Sequence, residues 1–199
     1  MNTTDFDAFD SPNFPPLAVF SGQRRLSGAV NWNLVLKPVL TRGTGKELIL
    51  CTNNNTATEN VNVLYIYPGI TENAMNFVPS ALILRSFGAG NVPDIVLQTL
   101  KTWKNSVLVV NISQCEGGSV SSTYAIGTEL EGIGVVNGGD MTFEAAYTKL
   151  YIACILKAEI SDRKKYFEEI SKGEKTTPSL RVQVLDLVHM YRLAAKSKA

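Results

Sequence analysis

Three short polar clusters stand directly after apolar runs in this 199-residue sequence: Arg85-Ser86, Ser113-Gln114-Cys115 and Asn137-Gly138-Gly139-Asp140. The first continues into a loop holding Gly88, Gly90 and Asn91. Together they offer a guanidinium, hydroxyls, amides, a thiol and a carboxylate. A guanidinium can grip a carboxylate through two parallel hydrogen bonds, and a carboxylate can hold an ammonium. Hydroxyl and amide groups could then read a side-chain amide. That chemistry fits a small zwitterionic ligand. A second reading stands beside it with equal weight: the same residues cap helices and turn the chain.

The elements that must position these clusters follow from the hydrophobic pattern. Residues 61–67, 81–84, 106–111 and 133–136 are near-continuous, β-branched apolar runs. Such runs mark parallel strands covered on both faces. Helical patterns over 72–77, 93–104, 122–131 and 142–157 fill the gaps, and a last one covers 180–195. Pro93 suits a first helical turn, where its missing N–H costs nothing. Phe143, Tyr147, Leu150 and Cys154 form one stripe of the long helix, with Asp140 placed to cap or approach its N-terminus. Lys149 on that helix reads as solvated or salt-bridged. Strand and helix alternating at a spacing of ~25 residues predict an α/β fold, a four-stranded parallel sheet flanked by helices. In such sheets ligands bind outside the carboxyl ends of the strands, which gathers the three clusters on one rim.

The flanks carry other signals. Residues 1–30 read as a linker, stiffened by Ser11-Pro12-Asn13-Phe14-Pro15-Pro16. Strands over 33–40 and 47–51 predict a small β-hairpin at the start of a domain covering 31–178. Residues 179–199 read as a terminal helix and basic tail. Lys165, Lys172, Lys175, Arg181, Arg192, Lys196 and Lys198 gather there and before it, a pattern typical of a solvated helix face.

Composition excludes several classes. A formal net charge of +1 argues for no nucleic acid and no anionic membrane. The N-terminus has no signal-peptide pattern, and no apolar run reaches the ~20 residues that span a bilayer. Three scattered cysteines, Cys51, Cys115 and Cys154, make neither a disulfide framework nor a metal site. A reducing cytoplasm is the expected setting. The Asn-x-Ser/Thr matches at Asn2, Asn54 and Asn111 are then unused, and Asn111 falls in a buried strand. Gly88-Ala89-Gly90 lacks the third glycine of a dinucleotide loop, since Pro93 stands there. Gly43-Thr44-Gly45-Lys46-Glu47 has Glu47 where a phosphate loop needs Ser or Thr. Cys115 has no histidine nearby in sequence, because the sole histidine is His189.

A family resemblance rests on the same residues and more. Asp7-Ala8-Phe9-Asp10-Ser11-Pro12-Asn13-Phe14-Pro15-Pro16-Leu17 resembles the segment leading out of the N-terminal domain of L-asparaginases. Tyr67-Pro68-Gly69-Ile70 followed by Leu82-Ile83-Leu84-Arg85-Ser86-Phe87-Gly88-Ala89-Gly90-Asn91 is similar to the first half of their C-terminal domain. Asn111-Ile112-Ser113-Gln114-Cys115, Tyr124-Ala125-x-Gly127 and Gly138-Gly139-Asp140-Met141-Thr142-x-Glu144-Ala145 are similar to the rest. Gly173-Glu174-Lys175-Thr176-Thr177-Pro178 resembles the close of the type I enzymes. The likeness covers residues 5 to 178 and fits the cytosolic type I branch better than the periplasmic type II branch.

The resemblance implies the following. Family enzymes hydrolyse L-asparagine to L-aspartate and ammonia through a threonine hydroxyl, with no metal or cofactor. Those threonines belong to Thr-Gly-Gly-Thr and Gly-Thr-Asp-Thr motifs of the N-terminal domain, and neither motif occurs in this sequence. The chain is thus expected to be a C-terminal half that is inactive by itself. Its implied roles are oligomerisation and binding of L-asparagine as an allosteric effector. The positions matching the family's effector contacts are Arg85, Ser86, Asn91, Ser113, Cys115, Gly139 and Asp140. Tyr124 matches a tyrosine that reaches into a neighbouring subunit's active site. Implied partners are further copies of the chain or an asparaginase N-terminal domain. The alternatives are a stand-alone asparagine-binding module without hydrolysis and a truncated remnant.

Overall fold

The structure is a computed structural model that describes residues 13, 18–21, 29–32, 60–121, 125–169 and 175. The chain divides into two compact units, Met1–Arg42 with Thr176–Ala199, and Gly43–Lys175. In the first, β1 (Ala18–Ser21) pairs antiparallel with β2 (Ala29–Trp32), Ala18 opposite Trp32. This hairpin lies in and just beyond the stretch read as linker. Its strands are only four residues each and follow a cluster of prolines at 12–16, so no extended pattern marks them in the sequence. The strands expected at 33–40 and 47–51, and the helix expected at 180–195, fall outside the described residues.

The second unit is built on a parallel sheet. Strands β3 (Val61–Tyr65), β4 (Ala81–Ser86), β5 (Leu108–Ser113) and β6 (Val136–Asn137) add in chain order, β3-β4-β5-β6. All three pairings are parallel. A short 3-10 turn, Glu72–Met75, joins β3 to β4. Helix α1 (Asp94–Thr102) joins β4 to β5, and α2 (Ala125–Gly132) joins β5 to β6. Helices α3 (Phe143–Leu156) and α4 (Ile160–Glu168) follow.

Side chains alternate across a strand, so β4 feeds two cores. Leu82 and Leu84 face Val96, Leu97 and Leu100 of α1 and Leu130 of α2. Ala81 and Ile83 join Val110, Leu150 of α3 and Phe167 of α4. Covering both faces is what makes the strand sequences apolar at nearly every position. Full burial of a side chain such as Leu82 or Leu150 contributes about 1.5–3 kcal/mol against exposure.

Helix α3 shows how local chemistry sets the site's far wall. Its buried residues, Ala146, Leu150, Ala153 and Cys154, recur at helical spacing. Phe143 and Tyr147 are half-buried at the margin of that core. The N-cap is Thr142, whose Oγ1 accepts the Ala145 N–H at 3.2 Å. Asp140, expected to cap or approach this end, therefore does not fill the capping position; the loop before the helix is two residues longer than that expectation required. Lys149 is half-buried, donating to the Glu169 carbonyl with its Nζ 5.6 Å from the Phe167 ring. Helix α4 had no sequence signal, because only Arg163 and Phe167 are buried among nine largely polar residues. Arg163 Nε donates to the Lys157 carbonyl at 2.8 Å, which closes the C-terminus of α3.

Candidate functional site at the strand ends

Parallel pairing puts the carboxyl ends of β4, β5 and β6 side by side. Arg85 lies opposite Ile112, Ser86 opposite Ser113, and Asn111 opposite Asn137. The three polar clusters accordingly meet on one rim. Their side chains do not all share a face, because Arg85 and Ser86 are consecutive in one strand.

On the α1–α2 face the polar groups bond one another. Ser86 is fully buried, with its hydroxyl 2.6 Å from Asn111 Oδ1 and 3.2 Å from the Ile112 carbonyl. Asn111 Nδ2 donates to the Gly90 carbonyl at 3.1 Å. Gly90 adopts φ +113°, and a Cβ there would lie 2.8 Å from Val120 Cγ1. Only glycine lets the loop come this close. Ser113 Oγ donates to the Gly88 carbonyl at 2.7 Å and accepts the Cys115 N–H at 3.0 Å. The Phe87 and Asn91 backbones bond reciprocally, at 3.0 and 2.9 Å, which closes the loop on itself. The Asn91 and Cys115 residues are exposed. Gln114 Nε2 reaches the Ile66 and Arg85 carbonyls, each at 2.6 Å, and ties the ends of β3 and β4.

On the α3 face stands Arg85. Its Cζ lies 4.6 Å from the Tyr65 ring centroid and 5.2 Å from that of Phe143. Its Nη1 donates to the Tyr65 hydroxyl, and its Nε is buried without a hydrogen-bond partner. Gly139 and Asp140 occupy the loop between β6 and α3. There the Gly139 N–H donates to Asn137 Oδ1 at 2.8 Å, and Lys175 Nζ donates to the Asn137 carbonyl at 3.3 Å. A small recess lined by Asn111, Val120, Ser121, Leu130 and Asn137 opens over β5 and β6, away from Arg85. Tyr124 lies outside the described residues. Among the described residues no group of three His, Cys, Asp or Glu side chains could hold a metal ion, and no helix is long and apolar enough to cross a membrane.

Tyr65, Phe143 and Lys175 join this rim although the sequence pattern assigns none of them to it. For Tyr65 only the strand register, which the sequence does not state, reveals the link. Tyr65 is the direct parallel partner of Arg85, at the last position of β3.

A four-stranded parallel sheet with a polar rim of this composition matches the Glutaminase/Asparaginase C-terminal domain, whose family model covers residues 60–167. The chain belongs to that family. It is 36% identical over 179 residues to L-asparaginase 1 of Escherichia coli K12, covering 86% of this chain and 49% of that protein. It is 33% identical over 189 residues to the mouse 60 kDa lysophospholipase, covering 91% of this chain and 32% of that protein. Among solved structures, L-asparaginase I of Vibrio cholerae superposes with a TM-score of 0.58 at 30% identity, over 85% of this chain and 50% of that one. The chain thus spans half or less of the length of these relatives.

Proposed function

We propose that this chain acts as the oligomer-forming and effector-binding C-terminal domain of a cytoplasmic L-asparaginase. L-asparagine is the effector, and no nucleophile for its hydrolysis is supplied by this polypeptide. The observation that carries the reading is Arg85. It places a guanidinium at the carboxyl end of β4, beside the N-terminus of α3, within the motif that resembles the family's effector contacts. A carboxylate there gains from the charged fork of Arg85. Ser86 and Asn111 serve the same site from behind, since their hydrogen bonds fix the loop through Gly90 to Asn91. Ser113, Cys115, Gly139 and Asp140 border the loops on either side. Tyr124 contributes to a neighbouring subunit, and further copies of the chain or an asparaginase N-terminal domain are its partners.

Two measurements on the full chain test this. An ammonia-release assay with L-asparagine is expected to show no turnover; turnover by this polypeptide alone would overturn the account of a missing nucleophile. Titration calorimetry is expected to show weak L-asparagine binding that Arg85→Ala abolishes while near-ultraviolet circular dichroism stays native. Unchanged binding by that variant would remove the rim from consideration. Hydrolysis absent with binding retained is also the behaviour of a stand-alone binding module, and co-expression with an asparaginase N-terminal domain separates the two by whether activity appears.

A further inference from the structure

The Arg85 side chain is held in a way that its ligand-binding role does not by itself require. Tyr65 and Phe143 both present rings to the guanidinium, at 4.6 and 5.2 Å. The Tyr65 hydroxyl accepts from Nη1, and Nε is buried without a partner. Neither ring is carried by a loose loop. Tyr65 is fixed by the β3–β4 ladder as the register partner of Arg85, and Phe143 is the first residue of a helix capped by Thr142. Tyr65 is nonetheless 49% exposed, so the phenol stands at the solvent side of the pair.

A carboxylate grips a guanidinium best through two parallel N–H···O bonds. One such fork uses Nε with an Nη atom. Burial of Nε closes that approach. The other fork uses one N–H from each of Nη1 and Nη2 at the end of the side chain, and Nη1, which carries two N–H groups, already gives one of them to the Tyr65 hydroxyl. We infer that Tyr65 is a positioning residue that gates Arg85: its ring and that of Phe143 hold the guanidinium plane in place, while its hydroxyl competes with an incoming carboxylate for Nη1. The inference rests on the reading of Arg85 as the carboxylate contact. It adds two residues and a regulatory element to that site.

Ring and hydroxyl act in opposite directions, which gives the test its sign. Tyr65→Phe keeps the ring and removes the competing acceptor. L-asparagine binding, measured by calorimetry on the full chain, is expected to tighten by roughly threefold to tenfold, the worth of about one hydrogen bond. Tyr65→Leu removes the ring as well and is expected to weaken binding, as is Phe143→Leu, each by about threefold or more. A purely structural role for Tyr65 predicts loss in both Tyr65 variants. β-Alanine amide, which lacks the α-carboxylate, is the control ligand, and its behaviour should not change with Tyr65→Phe. Unchanged or weakened L-asparagine binding in Tyr65→Phe overturns the gate alone; no binding by wild type and Tyr65→Phe alike overturns both the gate and the site reading. The clamp has a ligand-free readout too. In nitrogen-15 spectra the Arg85 Nε–H, assigned with Arg85→Lys, is expected to be ring-shifted in the wild type and to lose that shift in Tyr65→Leu. Identical spectra for the two would dismiss the clamp whatever the ligand does.

Discussion

The Ser86 hydroxyl lies 2.6 Å from Asn111 Oδ1, joining the end of β4 to the interior of the neighbouring parallel strand β5 inside a fully buried layer. Asn111 is 2% exposed and carries the contact onward through Nδ2 to the Gly90 carbonyl. One amide of β5 thus fixes both the end of β4 and the loop that follows it. Removing it deprives the buried Gly90 carbonyl of this donor and leaves the Ser86 hydroxyl only its 3.2 Å contact with the Ile112 carbonyl. Asn111→Ala is expected to lower unfolding free energy by about 2–3 kcal/mol, the cost of buried polar groups left unmet. Urea titration with a constant slope measures it. Ser86→Ala in the Asn111→Ala background should cost clearly less than in the wild type, because the shared bond is already gone. Additive losses would mean that the contact contributes nothing of its own. The same burial explains why the Asn111-Ile112-Ser113 match to a glycosylation signal is inaccessible in the folded chain.

Gly138 and Gly69 separate two reasons for keeping a glycine. A Cβ on Gly138 would stand 2.5 Å from Ile112 Cγ2 and 2.9 Å from the Asn111 carbonyl, so the obstacle is packing against the end of β5. Gly69 has φ +82° and nothing within 4 Å of an added Cβ, so the obstacle there is backbone conformation alone. Gly138→Ala is expected to cost about 3 kcal/mol, the upper part of the range for overpacking. Gly69→Ala is expected to cost about 1 kcal/mol. Thermal unfolding of the two variants should rank them in that order, and the reverse order would contradict the close approach at Gly138.

The sheet was legible because its strands are buried on both faces. Burial on both sides leaves no polar alternation to blur the pattern, so Leu82, Ile83 and Leu84 announce a central strand by themselves. The rim followed from the same runs, since each ends abruptly in polar residues. What escaped lacks that contrast. Helix α4 buries an arginine and a phenylalanine and otherwise faces solvent, so no apolar stripe betrays it. The β1–β2 hairpin is four residues on each side and follows a proline cluster. Tyr65 escaped for a different reason. A tyrosine late in an apolar run looks like any half-buried strand residue until the register sets it beside Arg85. Pairing is a property of two strands, and neither strand's sequence states it. The cap of α3 shows a smaller case of the same limit: Asp140 and Thr142 are both good capping residues, and only the backbone decides for Thr142.

Arg163 supplies the sharpest test of the corner between α3 and α4. It is 9% exposed, and its Nε donates at 2.8 Å to the carbonyl of Lys157, the C-cap of α3. A positive charge at a helix C-terminus also meets the negative end of the helix dipole. Two contributions therefore act at one point, a charged hydrogen bond to the C-cap carbonyl and a favourable field. Arg163→Met keeps most of the aliphatic stem and removes both. The expected loss is about 1.5–3 kcal/mol, the range for hydrogen bonds made by a charged donor. Arg163→Lys keeps the charge but replaces the planar guanidinium, with its fixed donor geometry, by a flexible ammonium, so an intermediate loss is expected. Hydrogen exchange adds a spatial criterion: in Arg163→Met the amides of the last turn of α3 should exchange faster, while those of β4 change only with global stability. Uniform acceleration across α3 and the sheet would show that Arg163 serves the core as a whole and does not hold the corner.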